Sequence, residues 1–156
     1  MSLYYLGNAR HANQAEQMRR LEEVGVCIFC PGYVDDPDDP HVVMTSPDWV
    51  VRHNAFPYAG TKLHLLLVPR RHVRDLLDLT DAELAGFWQV GRELRERYDL
   101  AFYGLGARCG DCRYTGGTIE HVHVHLVVGD VERPEHSPVR LKLSSRPAPA
   151  EAQAEA

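Results

Sequence analysis

Between Glu120 and Asp130 the chain reads EHVHVHLVVGD, and this alternation constrains its fold more than any other stretch. His121, His123 and His125 alternate with Val122, Val124 and Leu126, followed by Val127 and Val128. Strict alternation with β-branched neighbours predicts a strand. Successive strand side chains point to opposite faces, so the three imidazoles share one face, about 6–7 Å apart from one to the next. The valines and the leucine enter a core on the other face. A strand that needed only a polar face would use Thr, Lys or Glu. Three groups titrating near neutral pH on one rigid surface point to a chemical site or a metal site.

The 156 residues suit one domain with a substantial core. A formal net charge of −5 argues against a nucleic-acid polymer as partner, since such binders carry a basic stripe. It leaves room for a small anionic substrate. No apolar run approaches the roughly 20 residues a membrane helix needs, so no membrane association is expected. The first twenty residues show no basic region followed by an apolar block, which points to the cytoplasm. The four cysteines form two C-x-x-C pairs, Cys27/Cys30 and Cys109/Cys112. In a reducing compartment such pairs serve as metal or redox sites.

QAEQMRRLEEV near the start predicts a short amphipathic helix, within an N-terminal extension over 1–26. CIFC and an acidic Pro/Asp-rich loop follow. Strands are expected at 41–45, 48–53, 63–69, 101–107 and 119–128. LHLLLVP (63–69) is apolar throughout, as a strand covered on both faces would be. Thr80 with Glu83 forms a capping box, and Leu84, Phe87, Trp88, Leu94 and Tyr98 mark the apolar stripe of one long helix. The main domain then spans 27–130, and 131–156 forms a tail whose Pro/Ala/Glu-rich end is expected to be disordered. This order defines an α+β fold with a mainly antiparallel sheet of about five strands and one long helix. GLG at 104–106 lacks the rest of a dinucleotide fingerprint, and no organic cofactor is expected.

The histidine row admits a zinc centre, with Asp130 or His64 as a further ligand. It equally admits nucleophilic chemistry, in which one imidazole attacks phosphorus and its neighbours stabilise the developing charge. The Gly-rich, hydroxyl-bearing YTGGT (114–118) just upstream favours the second. Glycines such as Gly117 let backbone N–H groups approach an anion, and Thr115 or Thr118 adds a hydroxyl. By spacing, Cys27, Cys30, Cys109 and Cys112 form a natural four-cysteine zinc set.

HVHVHLV resembles the signature of the histidine triad (HIT) family, His-φ-His-φ-His-φ-φ with φ apolar. TGGTIEHVHVH resembles the approach to that strand. NAFPYAGTKLHLLLVPRRHV resembles the family's other block, a polar residue and turn, then His, an apolar strand, Pro, basic residues and His-Val. The resemblance implies a nucleotide hydrolase or nucleotidyltransferase acting on nucleoside–phosphate–X. It implies His123 as the nucleophile of a covalent nucleotidyl-histidine intermediate, with His121 as the first triad member. His125 would hold the α-phosphate, Thr118 would donate to the leaving group, and Asn54 would contact the ribose. His72 would lie near the nucleotide. The family often places a phosphate-binding Asn in the loop before the triad; here that loop reads ARCGDCRYTGG, and Arg113 is expected to replace the amide, with Arg108 as the other basic residue of the loop. The resemblance also implies a structural zinc held by Cys27, Cys30, His64 and His121, and a homodimer. Two other readings compete: a nucleotide-binding module without turnover, and a zinc-dependent hydrolase using the triad as ligands. Phosphoramidates, dinucleoside polyphosphates and nucleotide sugars all remain open as substrates.

Overall fold

A computed structural model describes residues 2–146; the Pro/Ala/Glu-rich end lies outside the described residues. Five strands form one antiparallel sheet: β1 (Val42–Thr45), β2 (Trp49–His53), β3 (Thr61–Pro69), β4 (Gly104–Ala107) and β5 (Val124–Gly129), in the order β1-β2-β3-β5-β4. Three helices accompany them: α1 (Ala12–Glu23), α2 (Asp81–Arg97) and the short α3 (Cys112–Thr115). The expected α+β class and five-stranded antiparallel sheet are found. Several boundaries differ; the strand expected at 101–107 is confined to Gly104–Ala107, and the one expected at 63–69 begins at Thr61. The last strand begins at Val124 and so excludes His121 and His123, and the loop 109–118 contains α3.

The apolar run of β3 follows from its central position. Leu65 and Leu67 join Trp49, Val51, Val90, Leu94, Val122, Val124 and Leu126 in a core beneath α2. Leu66 and Val68 join Val50, Val34, Phe29 and Cys27 in a second core on the opposite face. From His64 to Pro69 neither face of β3 meets water, so alternation would have no use there. The Thr80/Glu83 capping box starts α2, and the Trp49 indole N–H donates to the Glu83 carbonyl at 2.7 Å, fixing the helix to β2.

Both terminal segments close over the second face. Tyr5 N–H donates to the Thr118 carbonyl at 2.9 Å, and Glu120 N–H to the Leu3 carbonyl at 2.8 Å. The segment after β5 crosses β4 at Gly106, where a Cβ would lie 2.3 Å from Leu141 Cδ2, so any larger residue would have to displace the Leu141 side chain. The buried Glu120 carboxylate accepts from Cys112 N–H (2.8 Å) and Arg74 Nε (2.7 Å), holding α3 beside the approach to β5.

Candidate active site and thiol–imidazole cluster

The three histidines of EHVHVHL occupy three different environments. Val122, Val124 and Leu126 are buried in the core beneath α2, so the alternation sets the faces as expected. On the other face His121 is fully buried and turns toward the loop bearing Cys27 and Cys30. His123 and His125 line a cavity of about 970 Å³, within the size range of small-molecule sites.

His123 lies with its ring centroid 5.0 Å from that of His125 and 4.9 Å from Phe29. Its Nδ1 is 2.8 Å from the His121 carbonyl oxygen. A carbonyl only accepts, so Nδ1 carries the proton and donates. That leaves the Nε2 lone pair free. Burial, and secondarily the charge of Arg108, pull the His123 imidazole down to about 4, so it is neutral at pH 7.

The same reasoning fixes His125. Tyr58 N–H donates to His64 Nδ1 at 3.1 Å, so neutral His64 carries its proton on Nε2. His64 Nε2–H then donates to His125 Nδ1 at 2.8 Å. His125 therefore carries its proton on Nε2, where Arg108 Nη1 lies 3.3 Å away. Two donors converge with no acceptor between them, as an anion site requires. Burial lowers both imidazoles, with neighbouring charges adding to it: His64 to about 4, and His125 further.

Asn54 and Thr118 also line the cavity. Asn54 Oδ1 accepts from Phe56 N–H at 2.9 Å, and its NH2, 3.3 Å from the protonated His64 Nε2, has no acceptor in that ring. Gly117 lies behind the wall; its carbonyl accepts from Asn8 Nδ2 at 2.8 Å, and a Cβ there would meet Cys112 Sγ at 2.9 Å. Its small size serves packing.

Two expectations are corrected. Arg113 does not reach the cavity. Asp111 caps α3 and pairs with the Arg113 guanidinium at 2.6 Å, so that side chain lies in solvent. Arg108, at the end of β4, occupies the place expected for it. The second correction exchanges His64 and His72. His64 is committed to His125. His72 Nδ1 instead lies 3.3 Å from Cys30 Sγ, far from the nucleotide role expected of it. Sequence order could not separate the two, because each adjoins the same strand, one near its start and one beyond its end.

Cys27, Cys30, His72 and His121 place one donor atom each within 4.8 Å of one another. His121 Nδ1 is 3.6 Å from Cys27 Sγ and 3.8 Å from Cys30 Sγ. A tetrahedral zinc with bonds of roughly 2.0–2.3 Å sets its ligands about 3.5 Å apart, so these donors fit it. His121 Nε2–H donates to the Pro69 carbonyl at 2.8 Å, leaving Nδ1 free for a metal. Burial, then the neighbouring Cys30, pushes the Cys27 thiol up to about 12, a shift that a bound cation would reverse. Cys109 and Cys112 lie outside this cluster, which removes the four-cysteine set; Cys112 packs against Gly117.

This sheet, with a histidine row opening on a cavity beside its central strands, has the architecture of HIT domains. The HIT domain pattern matches residues 37–132, well over half of the chain, and the protein belongs to the HIT family. It is 33% identical over 66 residues to the asymmetrical bis(5'-nucleosyl)-tetraphosphatase of Schizosaccharomyces pombe, covering 41% of this chain and 36% of that protein. It is 32% identical over 66 residues to the bis(5'-adenosyl)-triphosphatase of Dictyostelium discoideum, covering 41% of this chain and 44% of that protein. The matches thus span less than half the length of these curated relatives. Among solved structures, a histidine triad nucleotide-binding protein from Candida albicans superposes with a TM-score of 0.57 at 19% identity, covering 83% of this chain and 90% of that one, and shares the fold.

Proposed function

We propose that this protein cleaves a nucleotide at its α-phosphate through a covalent nucleotidyl-histidine on His123, passing the nucleotidyl group to water or another acceptor. The observation that carries this reading is the Nδ1 hydrogen bond to the His121 carbonyl, which aims a neutral Nε2 at a cavity lined by donors. The Nε2 lone pair forms a bond to the α-phosphorus. The bond from phosphorus to the bridging oxygen breaks, and its electron pair leaves with the departing group. Thr118 donates to that oxygen. His125 Nε2–H and Arg108 hold the α-phosphate oxygens, and Asn54 faces the ribose. The imidazolium formed in this step is stabilised by the His121 carbonyl. Water then attacks phosphorus, the pair returns to Nε2, and the released proton passes to solvent. The tetraphosphatase and triphosphatase names of the curated relatives make dinucleoside polyphosphates the first substrates to try.

Cys27, Cys30, His72 and His121 would hold zinc, which when bound there supplies four-coordinate structural cross-linking. A set with four protein ligands keeps no open position for substrate, which favours the histidine nucleophile over a metal-dependent hydrolase. Homodimer formation would use the β4 edge, where Leu105 and the preceding Phe102 and Tyr103 are exposed.

The decisive experiment is a trapping assay. Rapid acid-free denaturation after mixing with α-labelled diadenosine tetraphosphate should leave label on the wild-type chain and none on His123→Ala, with turnover surviving a chelator. Binding of nucleoside monophosphate without label or turnover would instead support a module that binds nucleotides only.

A further inference from the structure

Positive charge gathers on one side of the cavity in a chain whose net charge is −5. Arg10 precedes α1, Arg108 directly follows β4, and Lys142 belongs to the segment after β5; all three line the cavity. Among the described residues none of the three forms an ion pair with a carboxylate. Their partners are neutral. Arg10 lies 4.5 Å over the Tyr58 ring and donates to the Phe56 carbonyl. Arg108 donates to the Lys142 carbonyl (2.6 Å) and to the Tyr58 hydroxyl (3.0 Å). Lys142 donates to Asn8 Oδ1 at 2.9 Å.

Crowded like charges without counter-ions oppose one another. The Lys142 ammonium is held below its usual range first by burial, then by Arg108, Arg146 and Arg10. Arg10 is lowered by burial and, against a raising effect of Tyr58, by Arg108. The carboxylates that line the cavity are Asp36 and Asp39, and Asp39 is already bound to Arg52 at 2.7 Å. The α-phosphate needs only the donors at His125 and Arg108. Arg10 and Lys142 remain, with Arg140 and Arg146 also on the cavity wall, and all four lie outside residues 37–132 that define the family match. The cavity volume of about 970 Å³ is also near the top of the usual range, leaving room beyond a mononucleotide.

We propose that Arg10, Lys142 and the outer edge of Arg108 form a polyphosphate subsite that makes this chain select nucleotides with a polyphosphate leaving group. This rests on the α-phosphate chemistry above. A polyphosphate oxygen departs as an anion and needs no proton, so fixed cations stabilise it directly. An amine leaving group needs a proton, which these cations do not supply. The terminal segments therefore set leaving-group preference on a site whose chemistry belongs to the domain.

Two measurements on the full chain test this. The first is calorimetric binding of inorganic tripolyphosphate and of orthophosphate. Tripolyphosphate should bind the wild type at least about tenfold tighter, as a charge-assisted contact of ordinary strength implies. Lys142→Glu should abolish that difference, and Lys142→Arg should retain it, with thermal melting confirming that both fold. The second is the ratio of kcat/KM for diadenosine tetraphosphate to that for adenosine 5'-phosphoramidate. The ratio should fall about tenfold in Lys142→Ala and in Arg10→Ala. Tripolyphosphate binding no better than orthophosphate, or a ratio unmoved by both variants, overturns the proposal. Turnover without polyphosphate preference would sink the subsite and leave the α-phosphate reading standing. Polyphosphate binding sensitive to Lys142 without turnover of either substrate would do the reverse.

Discussion

His121 and His123 are two residues apart on one face of one strand approach, yet they belong to opposite kinds of site. His121 enters a closed corner with two thiols and a second imidazole. His123 opens on a cavity with Arg108 and the His64–His125 pair. The backbone joins them, because the carbonyl of His121 accepts the hydrogen bond that sets the tautomer of His123. Alternation along a strand assigns a face. What other elements bring to that face assigns the role: the Cys27–Cys30 turn in one case, the end of β4 in the other.

The largest expected effect separates the two corners directly. His123→Ala should lower turnover on the order of 10⁴-fold or more, as loss of a nucleophile does, while leaving metal content unchanged. His121→Ala should lose metal and stability together. Single-turnover kinetics with metal analysis on both variants checks this, and a His123→Ala protein retaining full turnover would sink the reading of the cavity.

The second effect sharpens the boundary of the closed corner. Chelation should lower the melting temperature of the wild type by many degrees, since structural zinc contributes folding free energy outright. His72→Ala and Cys27→Ser should already be low and respond little. His64→Ala and Cys109→Ser should keep metal and the wild-type response. Zinc loss in Cys109→Ser would restore the four-cysteine set. Because burial holds the Cys27 thiol protonated up to about 12 without a cation, zinc uptake should release protons and tighten as pH rises.

Much of this was legible in the residues. The alternation around His123 placed the valines in the core, the Thr80/Glu83 pair placed the start of α2, and the apolar run of LHLLLVP placed a doubly covered central strand. The exchange of His64 with His72 was not legible, since one lies within β3 and the other just past its end, and only the packing of β3 against its neighbours decides what each meets. In the observed register Leu66 pairs with His125, which brings His64, two residues before it, beside that ring. Arg113 was misplaced for a local reason. Asp111 two residues earlier is both a helix cap and a counter-ion, and the expected Gly-rich loop left no place for a helix there. Arg10 and Lys142 carried no sequence signal at all, because each reaches the cavity only through the packing of a terminal segment.

A third effect is carried by pH. His64 is buried and neutral, lowered from its ordinary 6.5 to about 4. Between those values the unfolded chain takes up a proton that the folded chain refuses, so stability rises with pH across this window. The contribution is complete above pH 6.5 and is lost as pH falls toward 4. Below that, His64 protonates, its Nδ1 can no longer accept from Tyr58 N–H, and the His125 tautomer is released. Urea melts from pH 7 to 4 should therefore show falling stability, and His64→Gln should flatten the slope. An unchanged slope in His64→Gln would show that other groups carry it.

The smallest contrast compares two arginines of one loop. Arg108 lies 3.3 Å from His125 Nε2 and has no carboxylate partner among the described residues; Arg113 is exposed and paired with Asp111. A hydrogen bond to a charged group is worth about 1.5–3 kcal/mol, so Arg108→Met should raise KM or lower kcat by roughly ten- to a hundredfold. Arg113→Ala removes an exposed pair worth about 0–1 kcal/mol to stability and should leave steady-state kinetics within about twofold. The two variants share a loop, so general loosening of 108–118 would lower both alike. Equal losses would mean that the loop as a whole matters and that Arg108 has no special part in holding phosphate. A large loss confined to Arg108 would assign the phosphate contact to the strand end, where the backbone is fixed by pairing of Ala107 with Val124, and deny it to Arg113, where the sequence suggested it.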